Sequence, residues 1–436
     1  METLIMVGQL LLGLSILVGV HEWGHLIAAK SFGMRVEKFS IGFPPKIWGK
    51  QFGETEYSIG AIPLGGFVKI TGMIDESLDT KSLSAEPEPW EFRAKPAWQR
   101  LIVMMGGIIV NVVTGILIFI VLALVNGDSY LPKQELNRNG IYAFDLGQQL
   151  GFEDGDRVIS INGNDFDRFS DLFSGDVLLG SNNYYEVDRK GDIVKIELPN
   201  NFIDKITKKG KKVPVITPLN PFNVGEVVKG SNAEAAGLLA GDKISSVNGN
   251  PINYFHEFSL ALDSLKDQDI AMEVIRGGET VGLNAKVTED GTIGFQASTE
   301  LQYVQQDFTF GEAVAEGTTQ AFDAVILNAK GLGKMISGDI DPRKSVMGPL
   351  GIMKQFGGTW DWNRFWFLVG LLSMVLAFMN FLPIPALDGG HVLFLTVEMI
   401  TGRKPSDKFL ENAQKVGMVI LLSLMAFVIV NDVINF

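Results

Sequence analysis

The sequence predicts a polytopic α-helical membrane protein. It combines four spanning helices, a membrane-associated β-sheet and two extracytoplasmic domains of mixed α and β structure. Three observations predict it. Apolar runs recur at residues 4–29, 101–125, 365–382 and 416–430, and a bilayer span needs about 20 apolar residues. Residues 36–71 alternate in the manner of strands between proline and glycine breaks. The polar middle of the chain contains an internal repeat. Mean hydropathy of +0.20 over 436 residues fits such a mixture of embedded and water-exposed parts.

The first run opens on Met1-Glu2-Thr3, without a positive n-region, and no small-residue cleavage site follows it. It is therefore expected to stay as a span. The third and fourth runs are short and must borrow flanking residues. Orientation follows from the basic residues. Lys30, Arg35, Lys38, Lys46 and Lys50 follow the first span, Arg93, Lys95 and Arg100 precede the second, and Arg403, Lys404, Lys408 and Lys415 precede the fourth. With four spans these clusters share one side, the cytoplasm, and both termini and the middle of the chain lie outside.

Within the loop after the first span, Glu56-Tyr57-Ser58-Ile59-Gly60 and Gly66-Phe67-Val68-Lys69-Ile70 read as strands. An apolar hairpin beside a spanning bundle can dip into the membrane and offer its edge to an extended peptide. Residues 128–307 hold 28 acidic and 17 basic side chains out of a chain total of −13. That balance argues against nucleic acid as a partner. Cysteine is absent, which excludes disulfides and Cys-based zinc sites.

In the acidic block, residues 151–164, Gly151-Phe152-Glu153-Asp154-Gly155-Asp156-Arg157-Val158-Ile159-Ser160-Ile161-Asn162-Gly163-Asn164, match residues 237–250, Gly237-Leu238-Leu239-Ala240-Gly241-Asp242-Lys243-Ile244-Ser245-Ser246-Val247-Asn248-Gly249-Asn250, at a constant offset. Each copy reads as a Gly-Asp turn, a strand, an Asn-Gly turn and an amphipathic helix. The pair resembles two PDZ domains in tandem, the second copy more clearly. Such domains take peptide termini as an added strand.

The chemistry sits in the first span. His21-Glu22-Trp23-Gly24-His25 lies inside an apolar run, where ionisable residues are costly and usually functional. Histidines four apart share a helix face and can grip one zinc ion, with Glu22 as general base. A hydrolytic zinc site takes three protein ligands and leaves one position open. Glu37 and Glu54 leave the membrane after Lys30, and His256 lies in the acidic block. Asp388 and His391 remain, in a stretch where Pro383 and Pro385 break the third span before Gly389-Gly390. Broken backbone at that depth is tolerated only against protein or a cavity, and a carboxylate there needs a cation, so Asp388 is the expected third ligand.

These motifs together resemble the bacterial site-2 protease family of intramembrane zinc metalloproteases, in particular its sigma-E-regulating branch with tandem PDZ domains. The resemblance covers nearly the whole chain. It implies metal ligands at His21, His25 and Asp388, a catalytic acid at Glu22 and a Zn2+ cofactor. The family's Gly-x-x-x-Asn motif appears as Gly107-Ile108-Ile109-Val110-Asn111, with Ile108 where the family often has proline. Asn111 and Asn380 are the expected substrate-binding amides. A Gly-Pro-x-Gly-Ile pattern at Gly348-Pro349-Leu350-Gly351-Ile352, followed by Trp360, Trp362 and Trp366, marks an interfacial helix and an aromatic belt.

The implied function is cleavage of single-span membrane proteins in or near the bilayer of the bacterial inner membrane, with the active site towards its cytoplasmic half. The implied substrates are an anti-sigma factor already cut once and remnant signal peptides. The rival reading is a non-catalytic membrane scaffold presenting PDZ domains. The expected division is a membrane region at 1–126, PDZ-like domains at 127–220 and 221–305, a linker and interfacial segment at 306–364, and a second membrane region at 365–436.

Overall fold

The computed structural model describes residues 1–73, 86–208 and 211–435. Two units make up the chain: Met1–Asp128 with Asp307–Phe436, and Ser129–Gln306. The main helices of the first unit are α1 (Glu2–Ser31), α2 (Ala97–Asn126), α3 (Phe310–Ser337), α4 (Pro349–Phe356), α5 (Trp362–Phe381), α6 (Asp388–Thr401) and α7 (Asp407–Asn435). Its strands are β1 (Val36–Phe52) and β2 (Thr55–Ile70). Four of the helices, α1, α2, α5 and α7, are long and apolar enough to cross a membrane. They coincide with the four apolar runs; α1, α2 and α7 extend theirs at both ends, and α5 starts earlier than its run and stops at Phe381.

Local chemistry sets the ends of these helices. Glu2 in the first turn of α1 and Lys30 in its last complement the helix dipole. Proline at position 96 precedes α2, and Gly127 ends it with a positive φ of 61°. The Asp361 side chain accepts the backbone N–H groups of Asn363 and Arg364 at the start of α5. That helix stops at Phe381 because Pro383 and Pro385 cannot continue it. The chain then turns through Ala386, at φ 84°, and restarts as α6 on Asp388 itself.

Helix α1 packs on α2 at the level of the histidines. A Cβ at Gly24 would lie 2.3 Å from the carbonyl oxygen of Gly106, so the two backbones are in direct contact there. Small residues allow this approach, as membrane helix interfaces require.

The segment expected as a linker contains a helix of 28 residues, α3. Thr309 and Glu312 form a capping box at its start. Ala313, Ala321 and Ala324 are buried, and the last two pack with Phe119 of α2 and Met374 of α5. The interfacial pattern that follows is helix α4, with Pro349 at its first turn. Asp432 of α7 accepts the N–H groups of Gly348, Leu350 and Gly351 at 3.1, 2.7 and 3.2 Å and so caps α4.

Strands β1 and β2 pair antiparallel twice over. Ser40 lies opposite both Phe67 and Ser58, and Phe39 opposite both Val68 and Tyr57. Residues 36–41 therefore run between 66–70 and 56–59, and the far ends close at Phe52 opposite Thr55. Pro44, Pro45 and Pro63, expected to break the strands, lie within them, beside irregularities in the pairing.

The second unit holds two cores. One contains Leu136, Phe152, Val158, Tyr185 and Phe202, the other Phe222, Ile244, Phe258, Met272 and Val274. The internal repeat is visible atom by atom. Asp156 receives Arg189 and the N–H of Glu153, as Asp242 receives Arg276 and the N–H of Leu239. Asn162 and Asn248 both take positive φ, 54° and 49°, each before a glycine. Their side chains accept the N–H groups of Tyr184 and Ala271, both at 2.9 Å.

The copies differ after that turn. The second has the expected helix, Phe255–Ser264, whereas the first has a 3-10 turn, Phe169–Phe173, and a short helix, Gly175–Leu179. Ser174 and Gly175 interrupt the first copy, where the second runs without a breaker. Leu301, expected within the second domain, packs into the first core.

Candidate metal centre and active site

Two helices bring three side chains to one point. His21 and His25 stand one turn apart on α1, 8% and 6% exposed, and their Nε2 atoms are 3.3 Å apart. Asp388, the first residue of α6, places Oδ2 3.2 Å from His21 Nε2 and 3.3 Å from His25 Nε2. Among the described residues, this is the one group of three His, Asp or Glu side chains whose ligand atoms converge.

The triangle fits a metal ion in two respects. Tetrahedral zinc with ligands at about 2.0–2.1 Å separates neighbouring ligand atoms by roughly 3.3 Å, which matches all three edges. Asp388 Oδ2 is buried without a hydrogen-bond partner, and a buried carboxylate oxygen in that state is costly unless a cation faces it. The ring of His25 is held in the required form: its Nδ1 donates to the carbonyl of Val103 at 2.8 Å, which leaves the Nε2 lone pair facing the other two atoms.

Helix α2 lies hard against both rings. A Cβ at Gly107 would fall 2.5 Å from His21 Cε1 and 2.5 Å from His25 Nε2, so only glycine fits there. A cavity of about 810 Å³ opens beside the triangle, with Glu22, Phe67, Val68, Asn380 and His391 in its wall. Val68 lines the same cavity as Glu22, and a Cβ at Gly66 would come within 3.3 Å of Glu22 Cγ. The β2 segment thus lies directly against the Glu22 side chain.

The structure brings together most of the residues marked in the sequence. His21, His25 and Asp388 converge, and Glu22 lines the adjoining cavity. Asn380 lines it too, with Nδ2 3.3 Å from His21 Nε2. His391 lies in the cavity wall, outside the triangle. Asn111 departs from its expected place. It is 0% exposed, sits behind His21 with Nδ2 3.1 Å from Nδ1, and is not part of the cavity wall. The Val103 carbonyl was not foreseen, because a backbone acceptor leaves no mark in a side-chain pattern.

A half-buried carboxylate and two buried imidazoles among membrane-length helices, beside a cavity that Glu22 lines, define an intramembrane metalloenzyme. The family model for peptidase family M50 matches residues 9–424, and the chain belongs to that family. It is a zinc metalloprotease, and its cofactor is Zn2+. It is 29% identical to the regulator of sigma E protease of Haemophilus influenzae over 98% of both chains. It is also 29% identical to the regulator of sigma-E protease RseP of Escherichia coli K12 over 97% of both. A Vibrio cholerae protein whose name includes zinc metalloprotease is 29% identical over 97% of both.

Proposed function

We propose that this protease cuts single-span membrane proteins in or near the bilayer, with His21, His25 and Asp388 holding zinc and Glu22 acting as general base. The observation that carries the reading is the triangle of lone-pair atoms, 3.2 to 3.3 Å on each edge, inside a unit of membrane-length helices. When bound there, zinc supplies Lewis acidity and makes a water acidic enough to lose a proton near neutral pH. Glu22 takes that proton and delivers it to the leaving amine. Asn380 lines the same cavity and donates to the substrate's carbonyl oxygen as charge develops on it.

A spanning helix hides its amides in internal hydrogen bonds, so the substrate must be drawn out before attack. Residues 65–70 line the cavity and pair on one side with 36–41. That arrangement supports addition of the unwound substrate as a further strand.

The basic clusters around the spans support a cytoplasmic placement for the active-site end of α1, in the bacterial inner membrane. Both termini and the repeat domains then lie outside. The repeat domains, 127–220 and 221–305, are read as a PDZ pair that hinders uncut ectodomains and admits trimmed ones. The names of the sigma-E relatives support an anti-sigma factor, already cut once, as substrate, with remnant signal peptides as a second class. A non-catalytic scaffold would account for the repeat but not for the converging donors.

Glu22→Gln, purified in detergent, tests the reading. It is expected to retain zinc and to lose cleavage of a single-span substrate by about 10²–10⁴-fold. Undiminished turnover would remove Glu22 as the base, and a wild-type chain that takes up no zinc would remove the reading altogether.

A further inference from the structure

The imidazole of His21 has two nitrogens, and only Nε2 faces Asp388 and His25. The other, Nδ1, lies 3.1 Å from the amide nitrogen of Asn111. Asn111 is fully buried, and its Oδ1 has no hydrogen-bond partner. An imidazole that offers its Nε2 lone pair to a metal carries its proton on Nδ1. Two donors would then face each other while a buried acceptor went unused beside them. Turning the Asn111 amide by 180° resolves both faults, because oxygen and nitrogen of an amide are assigned from the bonds they make. Oδ1 then accepts the Nδ1–H of His21.

The result matches the treatment of His25, whose Nδ1 donates to Val103, also on α2. The backbone of Asn111 is itself fixed, since Ser373 of α5 donates to its carbonyl at 2.8 Å. One turn earlier, Gly107 is the residue whose missing side chain makes room for both rings.

We propose that Asn111 is a positioning residue: it accepts the Nδ1 proton of His21 and so holds the tautomer whose Nε2 faces the metal. Together, Gly107 and Asn111 seat the two histidines on α2, and neither touches substrate. This rests on the reading of His21 as a zinc ligand. A hydrogen-bonded partner of this kind orients the ring and raises its basicity, and its loss typically weakens metal binding 10–100-fold.

The test compares full-length wild type, Asn111→Asp and Asn111→Leu in detergent, measuring zinc affinity by chelator competition and then kcat and KM at saturating zinc. Asn111→Asp keeps an acceptor and is expected to bind zinc as tightly as wild type or more tightly. Asn111→Leu is expected to lose about 10–100-fold in zinc affinity, with KM unchanged once zinc is restored. Asn111→Ala removes the acceptor with less steric demand and serves if the leucine variant does not fold. Wild-type zinc affinity with a raised KM in the leucine or alanine variant would overturn the proposal and assign Asn111 to the substrate. His21→Ala separates the two readings: if it leaves zinc affinity unchanged, the ligand assignment fails, whatever Asn111 does.

Discussion

Buried Arg100 and half-buried Glu398 form an ion pair between α2 and α6, with Nη2 2.5 Å from Oε1. Arg100 also donates from Nε to the carbonyl of Lys95 at 3.0 Å. Glu398 lies on the helix that begins with Asp388, and Arg100 lies one turn before Val103, which holds His25. The pair therefore clamps the element that carries one proposed ligand to the element that orients another.

Removing Glu398 leaves the buried Arg100 charge without its carboxylate, which costs about 3–5 kcal/mol, and removing Arg100 costs less because Glu398 is half-buried. Arg100→Leu and Glu398→Leu are each expected to lower the unfolding midpoint and to weaken zinc binding. The double change, Arg100→Leu with Glu398→Leu, is expected to recover much of the stability, because no lone charge remains. Thermal unfolding and chelator competition on the four proteins check this. Single variants that unfold like wild type would mean the pair is solvated in the working enzyme.

Asp388 and His391 separate cleanly in a metal assay. Asp388 supplies an edge of the ligand triangle, whereas His391 stands in the cavity wall outside it. Asp388→Asn is expected to reduce zinc content or activity sharply. His391→Ala is expected to keep its zinc and to alter KM more than metal binding. The reverse pattern would exchange the two assignments.

The features legible in the sequence were those with a local mark. Four apolar runs announced four helices, and the two prolines before Asp388 announced the break that exposes it. The Asn-Gly turns announced both copies of the repeat. Helix α3 does not stand out by hydropathy, because Glu312, Glu316, Asp323, Lys330 and Lys334 lower it. Its capping box at Thr309 and its small residues at helical spacing were readable signals. Arg100 and Glu398 are 298 positions apart, so no local pattern joins them. The side towards which Asn111 points depends on how α2 is rotated against α1, and that is a tertiary fact. The prolines in β1 and β2 have the look of strand ends, because double pairing of one strand has no sequence signature.

Acid should loosen the second copy of the repeat through Asp242. The guanidinium of Arg276, bonded to both of its oxygens at 2.7 Å, holds its carboxyl below the usual range. The unfolded chain, with a carboxyl near the ordinary value of about 3.9, then binds a proton more readily than the folded one. Stability from this pair is present above that value and is lost as pH falls through the folded one. Protection of the amides across residues 237–276 of the full chain, measured against their intrinsic exchange rates, is expected to fall below about pH 4. Arg276→Gln is expected to flatten that dependence. An unchanged pH profile in the variant would show that other carboxylates set the acid limit.

Gly107→Ala tests the seating of the histidines most directly. Alanine is favoured over glycine inside a helix by about 1 kcal/mol, so helix propensity alone predicts a neutral or stabilising change. The added Cβ, however, would fall 2.5 Å from His25 Nε2 and 2.5 Å from His21 Cε1, well inside contact distance. The rings or α2 must shift, and with them the geometry of the triangle. Zinc affinity is expected to fall about 10–100-fold, in the range of losses seen when metal ligands lose their support, while the unfolding midpoint without zinc changes little. Gly8→Ala is the control: the same substitution on α1 meets nothing within 4 Å and is expected to leave zinc binding as it was. Equal zinc affinity in Gly107→Ala and Gly8→Ala would mean that the rings tolerate a side chain on α2, and the close packing of Gly107 would then have no bearing on metal binding.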